Sequence, residues 1–411
     1  MKAVRFHVTI PRYATGMALG KLSSRAYTSG LSCTTYDEIP DPRLPGEDWA
    51  VLATRLGGIC GSDTSAVYLK SSPYFTPLIS SPYTFGHENY AMIAETGREV
   101  EGWRVGERVV VEPTLWCAPR GFTNLCSYCT RGEINRCDRI TDGNLAPGLS
   151  IGNCRDTSGS WGPYFLAHRS QLYHLPDAVN DENALMIEPF AVGLHAALEN
   201  FPKDNDTVLI VGAGSIGLCM LAALRALGSQ ADILVLARYS FQAEAALRLG
   251  ASRVIRATRD MDYYGEIAEL TGASVKQPMI GKRWLMGGVD LVFECVGSAS
   301  ALDDALRLTC HGGRVVAVGL PGVVKRMDWS PIFIKELDVR GAYIYHHAEI
   351  FQGKRWKTFD LAIDLMSSGK ADLSWMVSLK FPLADYKQAL GMMTHKRGSE
   401  KVVKIAFEFE T

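Results

Sequence analysis

One short stretch, VLIVGAGSIG, limits what this chain can fold into more than any other part of the sequence. An apolar run leads into Gly212, Gly214 and Gly217, and a long helical pattern follows. In this G-x-G-x-x-G spacing, the first glycine allows a tight turn, the second lets the backbone approach a pyrophosphate, and the third lets helix and strand pack closely. Ser215 and Ile216 would open the helix, whose free N–H groups attract phosphate. The stretch therefore predicts a strand, turn and helix that bind a dinucleotide.

The pattern around this turn alternates between strands and helices. DILVLARYS, SRVIRA, GVDLVFECVG and GRVVAVGLPG are typical of buried strands, and QAEAALRLG and ALDDALRLTC are typical of the helices between them. Such alternation predicts an α/β fold with a doubly wound parallel sheet, which binds ligands beyond the carboxyl ends of its strands. Residues at two of those ends are further candidates for cofactor contacts: Val296, Val318, Gly319 and Leu320.

The identity of the dinucleotide depends on the residue about 20 positions past the glycines, where an NAD site carries Asp or Glu for the ribose 2′-hydroxyl. That position is Ala237 here, and Arg238 and Ser240 follow it. Without a carboxylate there is no charge repulsion against a 2′-phosphate, and an arginine can pair with a phosphate bidentately. We therefore favour NADP over NAD. The alternative is a solvated Arg238 and an enzyme that uses both cofactors.

The residues before the glycine turn have a different character. Short β-branched runs such as WAVLATRLGG, ENYAMIAETG and ERVVVEP are separated by Gly, Pro and Asn, which predicts a mainly β region. A chain of 411 residues is long enough for two domains. We expect one domain at 1–192 and 346–411 and a dinucleotide-binding Rossmann domain at 193–345. The segment 260–288 departs from the βα rhythm and is expected to be a surface insertion with some helix.

Composition argues against several classes of function. The formal net charge is −1, so the chain lacks the basic excess that binds nucleic acids or anionic membranes. The longest apolar run is short for a membrane span and is interrupted by glycines and a serine. The opening MKAVRFHVTI has scattered charges and no apolar core, unlike a signal peptide. We therefore expect a cytoplasmic protein without nucleic-acid or membrane partners.

Four of the ten cysteines lie in one short segment, CAPRGFTNLCSYCTRGEINRC. Clustered thiols in a reducing compartment favour a metal over disulfides. Cys126 and Cys129 are separated by two residues, and together with Cys117 and Cys137 they suit a tetrahedral zinc site. Four thiolates would fill the coordination sphere, so this site is expected to hold a loop in shape without doing chemistry. The alternative is a set of unrelated thiols.

A second set of metal-binding residue types is dispersed along the chain. Cys60 lies in GGICGSDT, His87 and Glu88 lie in FGHENY, and Glu188 lies in MIEPFAVG. A cysteine, a histidine and a carboxylate form a three-ligand set that leaves the fourth position of a zinc ion open, as catalysis requires. Each residue taken alone has a simpler interpretation, as a buried thiol, a core histidine or an ion-paired carboxylate.

The order of several motifs connects these residues. GICGSD, GHE, GERVVVEP, the four-cysteine segment, EPFAVGLHA, VLIVGAGSIG and VVAVGLPG follow one another along nearly the whole chain. In this order they resemble the zinc-dependent medium-chain alcohol and polyol dehydrogenase family, and EPFAVGLHA is similar to its polyol and sugar branch. The resemblance implies a mainly β, GroES-like catalytic domain. Two segments are longer than the family pattern, namely residues 11–35 and the eight residues between Cys117 and Cys126.

The resemblance also implies the metal ligands. Cys60 and His87 would bind a catalytic zinc, and the third protein ligand would be Glu88 or Glu188. The cysteines of the four-cysteine segment would bind a second, structural zinc. Two zinc ions per chain are therefore expected.

The same resemblance implies a reaction. Ser62 matches the family's proton-relay hydroxyl, and Asp63 matches the partner of the zinc-binding histidine. We expect an NADP-preferring oxidoreductase for a secondary alcohol or its ketone, with a polyol, sugar or cyclic alcohol as its small-molecule substrate. Zinc would act as a Lewis acid on the substrate oxygen, and hydride would pass to the nicotinamide. Two alternatives are a zinc-free quinone or enoyl reductase on the same fold and a cofactor-bound structural or regulatory protein without activity.

One strand pattern bears on assembly. KELDVRGAYIY is typical of the terminal strand of the dinucleotide-binding sheet, and an unpaired sheet edge is a template for another chain. Pairing of two such edges about a two-fold axis would give a homodimer, and the family resemblance extends this to a homotetramer. A proline at Ala342 is expected to interrupt the pairing. The alternative is a monomer whose edge is covered by residues 260–288.

Overall fold

The structure is a computed structural model of the 411-residue chain, and it describes residues 1–258, 260–324, 327–394 and 401–410. The helices are α1 (Ile10–Gly20), α2 (Gly61–Val67), α3 (Ser127–Arg131), α4 (Asp181–Glu199), α5 (Ser215–Ala226), α6 (Ser240–Arg248), α7 (Tyr263–Thr271), α8 (Ala299–Leu308), α9 (Ser330–Lys335), α10 (Thr358–Ser367) and α11 (Tyr386–Thr394). The strands are β1 (Lys2–Phe6), β2 (Thr34–Glu38), β3 (Trp49–Gly58), β4 (Tyr83–Thr84), β5 (Asn89–Thr96), β6 (Arg108–Val111), β7 (Tyr164–His168), β8 (Leu172–His174), β9 (Thr207–Val211), β10 (Asp232–Ala237), β11 (Arg253–Arg256), β12 (Ser274–Lys276), β13 (Trp284–Met286), β14 (Val289–Glu294), β15 (Thr309–Ala317), β16 (Asp338–Gly341), β17 (Glu349–Phe351), β18 (Lys354–Trp356), β19 (Val377–Pro382) and β20 (Lys404–Glu408).

The chain divides into two compact units. The first unit comprises Met1–Glu188, His346–Ala348 and Arg355–Thr411, and the second unit comprises Pro189–Tyr345 and Glu349–Lys354. Each unit has its own sheets and its own buried apolar core.

The second unit is built on a six-stranded parallel sheet in the order β11-β10-β9-β14-β15-β16. Its inner strands are apolar on both faces because helices cover them, and Leu209 and Val292 belong to the buried core. Strand order reverses between β9 and β14, which leaves a crevice beyond the carboxyl ends of these strands. The predicted α/β doubly wound fold is confirmed, and the glycine turn lies at this crevice.

The first unit is mainly β. Its larger sheet has the order β19-β20-β3-β5-β6-β8, and β7 also pairs with β3. The smaller sheet has the order β2-β1-β4. Bulges between Val51 and Leu52, and between Thr54 and Leu56, interrupt the pairing of β3 with β5. Strand β3 ends just before Cys60, and β5 begins just after Glu88, so this sheet carries both segments of the dispersed ligand set. The expected mainly β domain is confirmed.

Two segments that depart from the expected patterns adopt regular structure. The stretch 260–288 contains α7 and the antiparallel pair β12–β13. Tyr264, Ile267 and Leu285 of this stretch are buried in the core of the second unit, so it contributes packing as well as surface. The amino-terminal extension contains α1, which begins after the capping residue Thr9. In the described ranges, no helix combines the length and apolarity that crossing a bilayer requires.

Candidate active site

Cys60 lies at the junction of a strand and a short helix. It follows β3 and occupies the amino-terminal capping position of α2. The Asp63 carboxylate, in the first turn of this helix, accepts a hydrogen bond of 3.0 Å from the Cys60 backbone N–H. Asp63 is buried, whereas Ser62 at the second helical position is exposed. The local turn therefore holds the Cys60 thiol and the Ser62 hydroxyl in one short segment.

His87 enters the same region from the loop before β5. Gly86 precedes it with a φ of +97°, and a Cβ there would collide with Ser160 and Trp161, so only glycine fits. The Nδ1 atom of His87 lies 3.6 Å from Oδ1 of Asp63. Asp63 thus contacts two predicted ligands, through the Cys60 amide and through the His87 ring.

The electrostatic surroundings of His87 favour a cation. Burial acts to lower the pKa of His87, but the nearby Asp63 and Cys60 outweigh it, and the pKa lies well above its usual value. A field that draws a proton to an imidazole also draws a metal cation, and metal binding then displaces the proton. The donor set of a thiol, an imidazole and a carboxylate fits zinc.

The structure brings three of the four dispersed residues together. One ligand atom from each of Cys60, His87 and Glu88 lies within 4.8 Å of the others, and these residues are here named the Cys60 group. Cys60 and His87 retain exposed surface, whereas Glu88 is fully buried. Glu188, buried within α4, lies outside this group.

Lys404 is a member of this site that the sequence patterns did not reveal. Its Nζ lies 2.6 Å from each carboxylate oxygen of Glu88, and the two side chains are 2% and 0% exposed. Strand β20 delivers the lysine, because Ala406 pairs with Gly58 and the Ile59 N–H donates to the Ile405 carbonyl. A lysine inside the apolar run KVVKIAF was the available signal, since a buried ammonium needs a counter-charge.

The four-cysteine lobe, residues 117–137, is compact and closed. The Sγ atoms of Cys117, Cys126, Cys129 and Cys137 all lie within 4.8 Å of one another, and all four residues are buried. The backbone N–H groups of Cys126 and Cys129 donate to the Sγ atoms of Cys117 and Cys126. A hydrogen bond from Cys129 lowers the pKa of Cys137 to about 6, whereas burial raises that of Cys117 to about 11. A divalent cation would let all four thiols ionise together.

The long gap after Cys117 has a structural explanation. Arg120, in the middle of the gap, is fully buried and donates hydrogen bonds to backbone carbonyls on both sides of the lobe. The accepting carbonyls belong to Leu115, Asp142, Leu145, Ala146 and Gly148. The extra residues therefore place a guanidinium that ties residues 142–148 to the lobe. No pattern in the sequence indicates this role.

The glycine turn of the second unit has the predicted geometry. Gly212 has a φ of +98°, and a Cβ on it would meet the Val296 side chain. A Cβ on Gly217 would collide with the Gly212 carbonyl oxygen. Helix α5 begins at Ser215 directly after this turn. The backbone is therefore open to close approach at the amino-terminal end of the helix.

Glu294 connects the predicted cofactor segments at Val296 and at Val318–Gly319 by hydrogen bonds, a role that the sequence patterns did not reveal. Its carboxylate accepts hydrogen bonds from the N–H groups of Val296 and Gly297, at 2.8 and 3.0 Å. Its backbone carbonyl accepts from Val318 and Gly319. Burial raises the pKa of Glu294 to about 7. A carboxylate that ends the apolar run DLVFE was the available sequence signal.

The remaining predicted cofactor residues lie at strand ends of the same sheet. Ala237 is the last residue of β10 and is buried, whereas Arg238 and Ser240 beyond it are exposed. Leu320, which follows β15 by three residues, is exposed as well. The residues after β10 and the residue after β15 thus lie at carboxyl ends of parallel strands, where ligands bind in this class of sheet.

Two family models match the chain. The alcohol dehydrogenase GroES-like domain model matches residues 46–177, which contain the Cys60 group and the four-cysteine lobe. The zinc-binding dehydrogenase model matches residues 215–368, which begin at α5. Fold, site and models together define the class of this protein as a zinc-binding dehydrogenase.

Individual relatives agree over most of the chain. L-idonate 5-dehydrogenase of Vitis vinifera is 30% identical over 395 residues, which are 96% of each chain. Sorbitol dehydrogenase of Bacillus subtilis is 28% identical over 356 residues, 86% of this chain and 88% of the relative. A solved Escherichia coli oxidoreductase/dehydrogenase of unknown specificity is 26% identical with a TM-score of 0.72, covering 92% of this chain and 96% of the other. The chain belongs to the zinc-dependent medium-chain dehydrogenase family, as predicted, and is an alcohol or polyol dehydrogenase.

Proposed function

We propose that this enzyme interconverts a secondary alcohol and its ketone, with a polyol, a sugar or a cyclic alcohol as substrate and NADP as the preferred cofactor. The observation that carries the proposal is the Cys60 group, whose thiol, imidazole and carboxylate converge within 4.8 Å. The names of two relatives, sorbitol dehydrogenase and L-idonate 5-dehydrogenase, support a polyhydroxylated substrate. We place catalytic function in residues 1–192 and 346–411 and dinucleotide binding in residues 193–345.

The chain's own residues would divide the work as follows. Cys60 and His87 would hold a zinc ion, with Glu88 or Glu188 as the third protein ligand. Bound zinc supplies Lewis acidity, which makes a hydroxyl easier to deprotonate. The exposed Ser62 hydroxyl would carry that proton outward. Bound NADP would supply the hydride acceptor. Asp63 would fix the His87 ring, in the way that carboxylates orient metal-binding histidines.

The four-cysteine lobe would hold a second zinc ion without an open position, so that each chain carries two. Its burial and its four sulfur ligands support a structural role. Metal analysis of purified protein is expected to give two zinc ions per chain. One ion per chain would remove one of the two proposed sites.

Turnover after metal removal tests the proposal as a whole. Enzyme assayed against polyols, sugars and cyclic alcohols with NADP and NAD is expected to reduce NADP faster, and chelator is expected to abolish that activity. Ser62→Ala is expected to lower kcat by about a hundredfold, because a positioned proton carrier contributes on that order. Ser65→Ala on the same helix is the matched control. Chelated enzyme that retained full turnover would contradict the mechanism.

We further propose that the enzyme is cytoplasmic and forms a homodimer or homotetramer through the edge of the second unit. Strand β16 ends the sheet order, and nearby apolar side chains such as Trp329 and Phe333 are 65% and 86% exposed. The Ala342 N–H donates to the Ala317 carbonyl within the sheet, so the proline predicted there would break an internal bond. Backbone N–H groups alternate in direction along a strand, so the Val339 N–H points away from β15 toward the open edge. Val339→Pro therefore removes a donor at this edge without breaking a bond inside the sheet. Light scattering is expected to show an oligomer for the wild type and dissociation for this variant.

A further inference from the structure

The carboxyl ends of β10 and β11 bring two arginines together. The strands are parallel, and Ala237 of β10 pairs with Arg256, the last residue of β11. Arg256 therefore stands beside the position where an NAD site carries its carboxylate. Arg238 and Ser240 follow on the neighbouring strand end. The sheet register alone thus adds a second guanidinium to the place where the sequence indicates only Arg238.

Arg256 is held over this strand end by two hydrogen bonds. One terminal nitrogen donates to Ser240 Oγ at 3.1 Å, and the other donates to the Arg238 carbonyl at 3.0 Å. The Nε atom is buried and has no hydrogen-bond partner. A guanidinium has five N–H donors, so three of the five are left over. The side chain is oriented, but its donors are not satisfied.

The charge of Arg256 is not neutralised either. Across the described ranges, no carboxylate forms an ion pair with its guanidinium. Asp260 is an exposed carboxylate on which the charge of Arg256 acts. The pKa of Asp260 is lowered mainly by the Thr258 hydroxyl and to a smaller extent by Arg256. An oriented, unpaired guanidinium beside a serine hydroxyl is a strong partner for a phosphate dianion.

We propose that Arg256 is a second arginine of the 2′-phosphate site and makes direct contact with the 2′-phosphate of NADP, together with Arg238 and Ser240. The inference rests on the proposed preference for NADP and assigns part of it to a residue on a different strand. In this arrangement the Ser240 hydroxyl, already fixed by Arg256, would donate to the same phosphate. Selectivity would then depend on β11 as well as on β10.

Binding of nucleotide fragments tests this without turnover. The full-length protein is titrated calorimetrically with adenosine 2′,5′-bisphosphate, which carries the 2′-phosphate, and with AMP, which lacks it. Arg256→Gln is expected to weaken the bisphosphate about tenfold or more and to change AMP less than twofold, because a charged hydrogen bond contributes on that order. Arg256→Lys is expected to regain part of the loss. Arg253→Gln, exposed at the other end of β11, is the matched control.

The outcomes separate this inference from the proposed function. Equal wild-type affinity for the two fragments would refute the NADP preference. The wild type could instead prefer the bisphosphate over AMP, with this preference lost in Arg238→Ala and kept in Arg256→Gln. That result would refute the role of Arg256 and leave the NADP preference standing. Equal weakening of both fragments in both Arg256 variants would show a structural role, which also overturns the inference. Thermal unfolding of each variant establishes that it is folded.

Discussion

The four-cysteine lobe and the Cys60 group place proposed metal ligands of the same unit in opposite surroundings. All four cysteines of the lobe are buried and face one another. In the Cys60 group, the His87 side chain keeps 17% of its surface and Cys60 is also partly exposed. A closed sphere of four thiolates has no position for a substrate, whereas an open three-ligand group does. We propose that exposure, more than ligand chemistry, separates the structural role of the lobe from the catalytic role of the Cys60 group.

The two sites also differ in how they are assembled. The lobe is formed within 21 residues, from 117 to 137, and is stabilised by N–H groups of its own backbone. The Cys60 group joins the turn after β3 to the loop before β5, and its Glu88 pairs with Lys404 of the last strand, 316 residues away. Damage to the lobe should therefore act on folding, and damage to the Cys60 group should act on chemistry.

The largest expected effect is the loss of one lobe thiolate. Cys129→Ser is expected to lower the free energy of unfolding by about 5 kcal/mol or more, because metal binding by such sites, about 10–16 kcal/mol, is coupled to folding. Thermal unfolding and zinc analysis measure it. Cys154→Ser, a buried cysteine outside the lobe, is the control. A stable Cys129→Ser protein with selectively lost turnover would reverse the assignment of the two sites.

The second effect is chemical. Cys60→Ala is expected to reduce kcat/KM by about a thousandfold or more, or about 4 kcal/mol, because the Lewis acid that activates the hydroxyl is lost. The midpoint of thermal unfolding is expected to stay close to that of the wild type, since Cys60 lies in a partly exposed turn. Cys310→Ala in the second unit serves as the control. Unchanged turnover in Cys60→Ala would favour a zinc-free reductase on the same fold.

The third effect concerns the buried pair behind the Cys60 group. Lys404→Met is expected to destabilise the protein by about 3 kcal/mol, because the Glu88 carboxylate is left buried without its counter-charge. Lys380→Met is the matched control, because Lys380 forms ion pairs with Glu182 and Glu408 near the surface. Loss of such exposed pairs is expected to lower the free energy of unfolding by about 1 kcal/mol or less. Adding Glu88→Gln to Lys404→Met should recover part of the stability. Equal losses in both lysine variants would show that burial of the pair does not matter.

The smallest effect tests the long gap of the lobe. Arg120→Gln is expected to cost about 2 kcal/mol, because several buried carbonyls lose a charged donor and the glutamine amide replaces only part of it. Urea unfolding measures the change. The control is Arg139→Gln, since the Arg139 guanidinium donates an exposed hydrogen bond to a single carbonyl, that of Asn124. An Arg120→Gln variant as stable as the wild type would show that the hydrogen bonds of Arg120 are not needed to hold the long gap in place.

Local features were predictable from the sequence. The glycine turn is specified by residues 212–217, whose steric requirements act over a few bonds. The four-cysteine lobe is short enough that its spacing alone indicates a common ligand. The alternation of apolar runs is sufficient for the parallel sheet, because strand and helix periodicities are properties of neighbouring residues.

The tertiary structure decided which distant residues meet. The ion pair of Lys404 with Glu88 requires β20 to lie against β3, and the position of Arg256 beside Ala237 requires β11 to pair with β10. The exclusion of Glu188 from the Cys60 group likewise depends on the course of α4. Sequence periodicity specifies which face of an element is buried, but the partner it meets follows from strand order and register. Strand order and register are set by the packing of the whole unit, over separations of 19 residues for Arg256 and Ala237 and 316 for Lys404 and Glu88, and no local pattern records them.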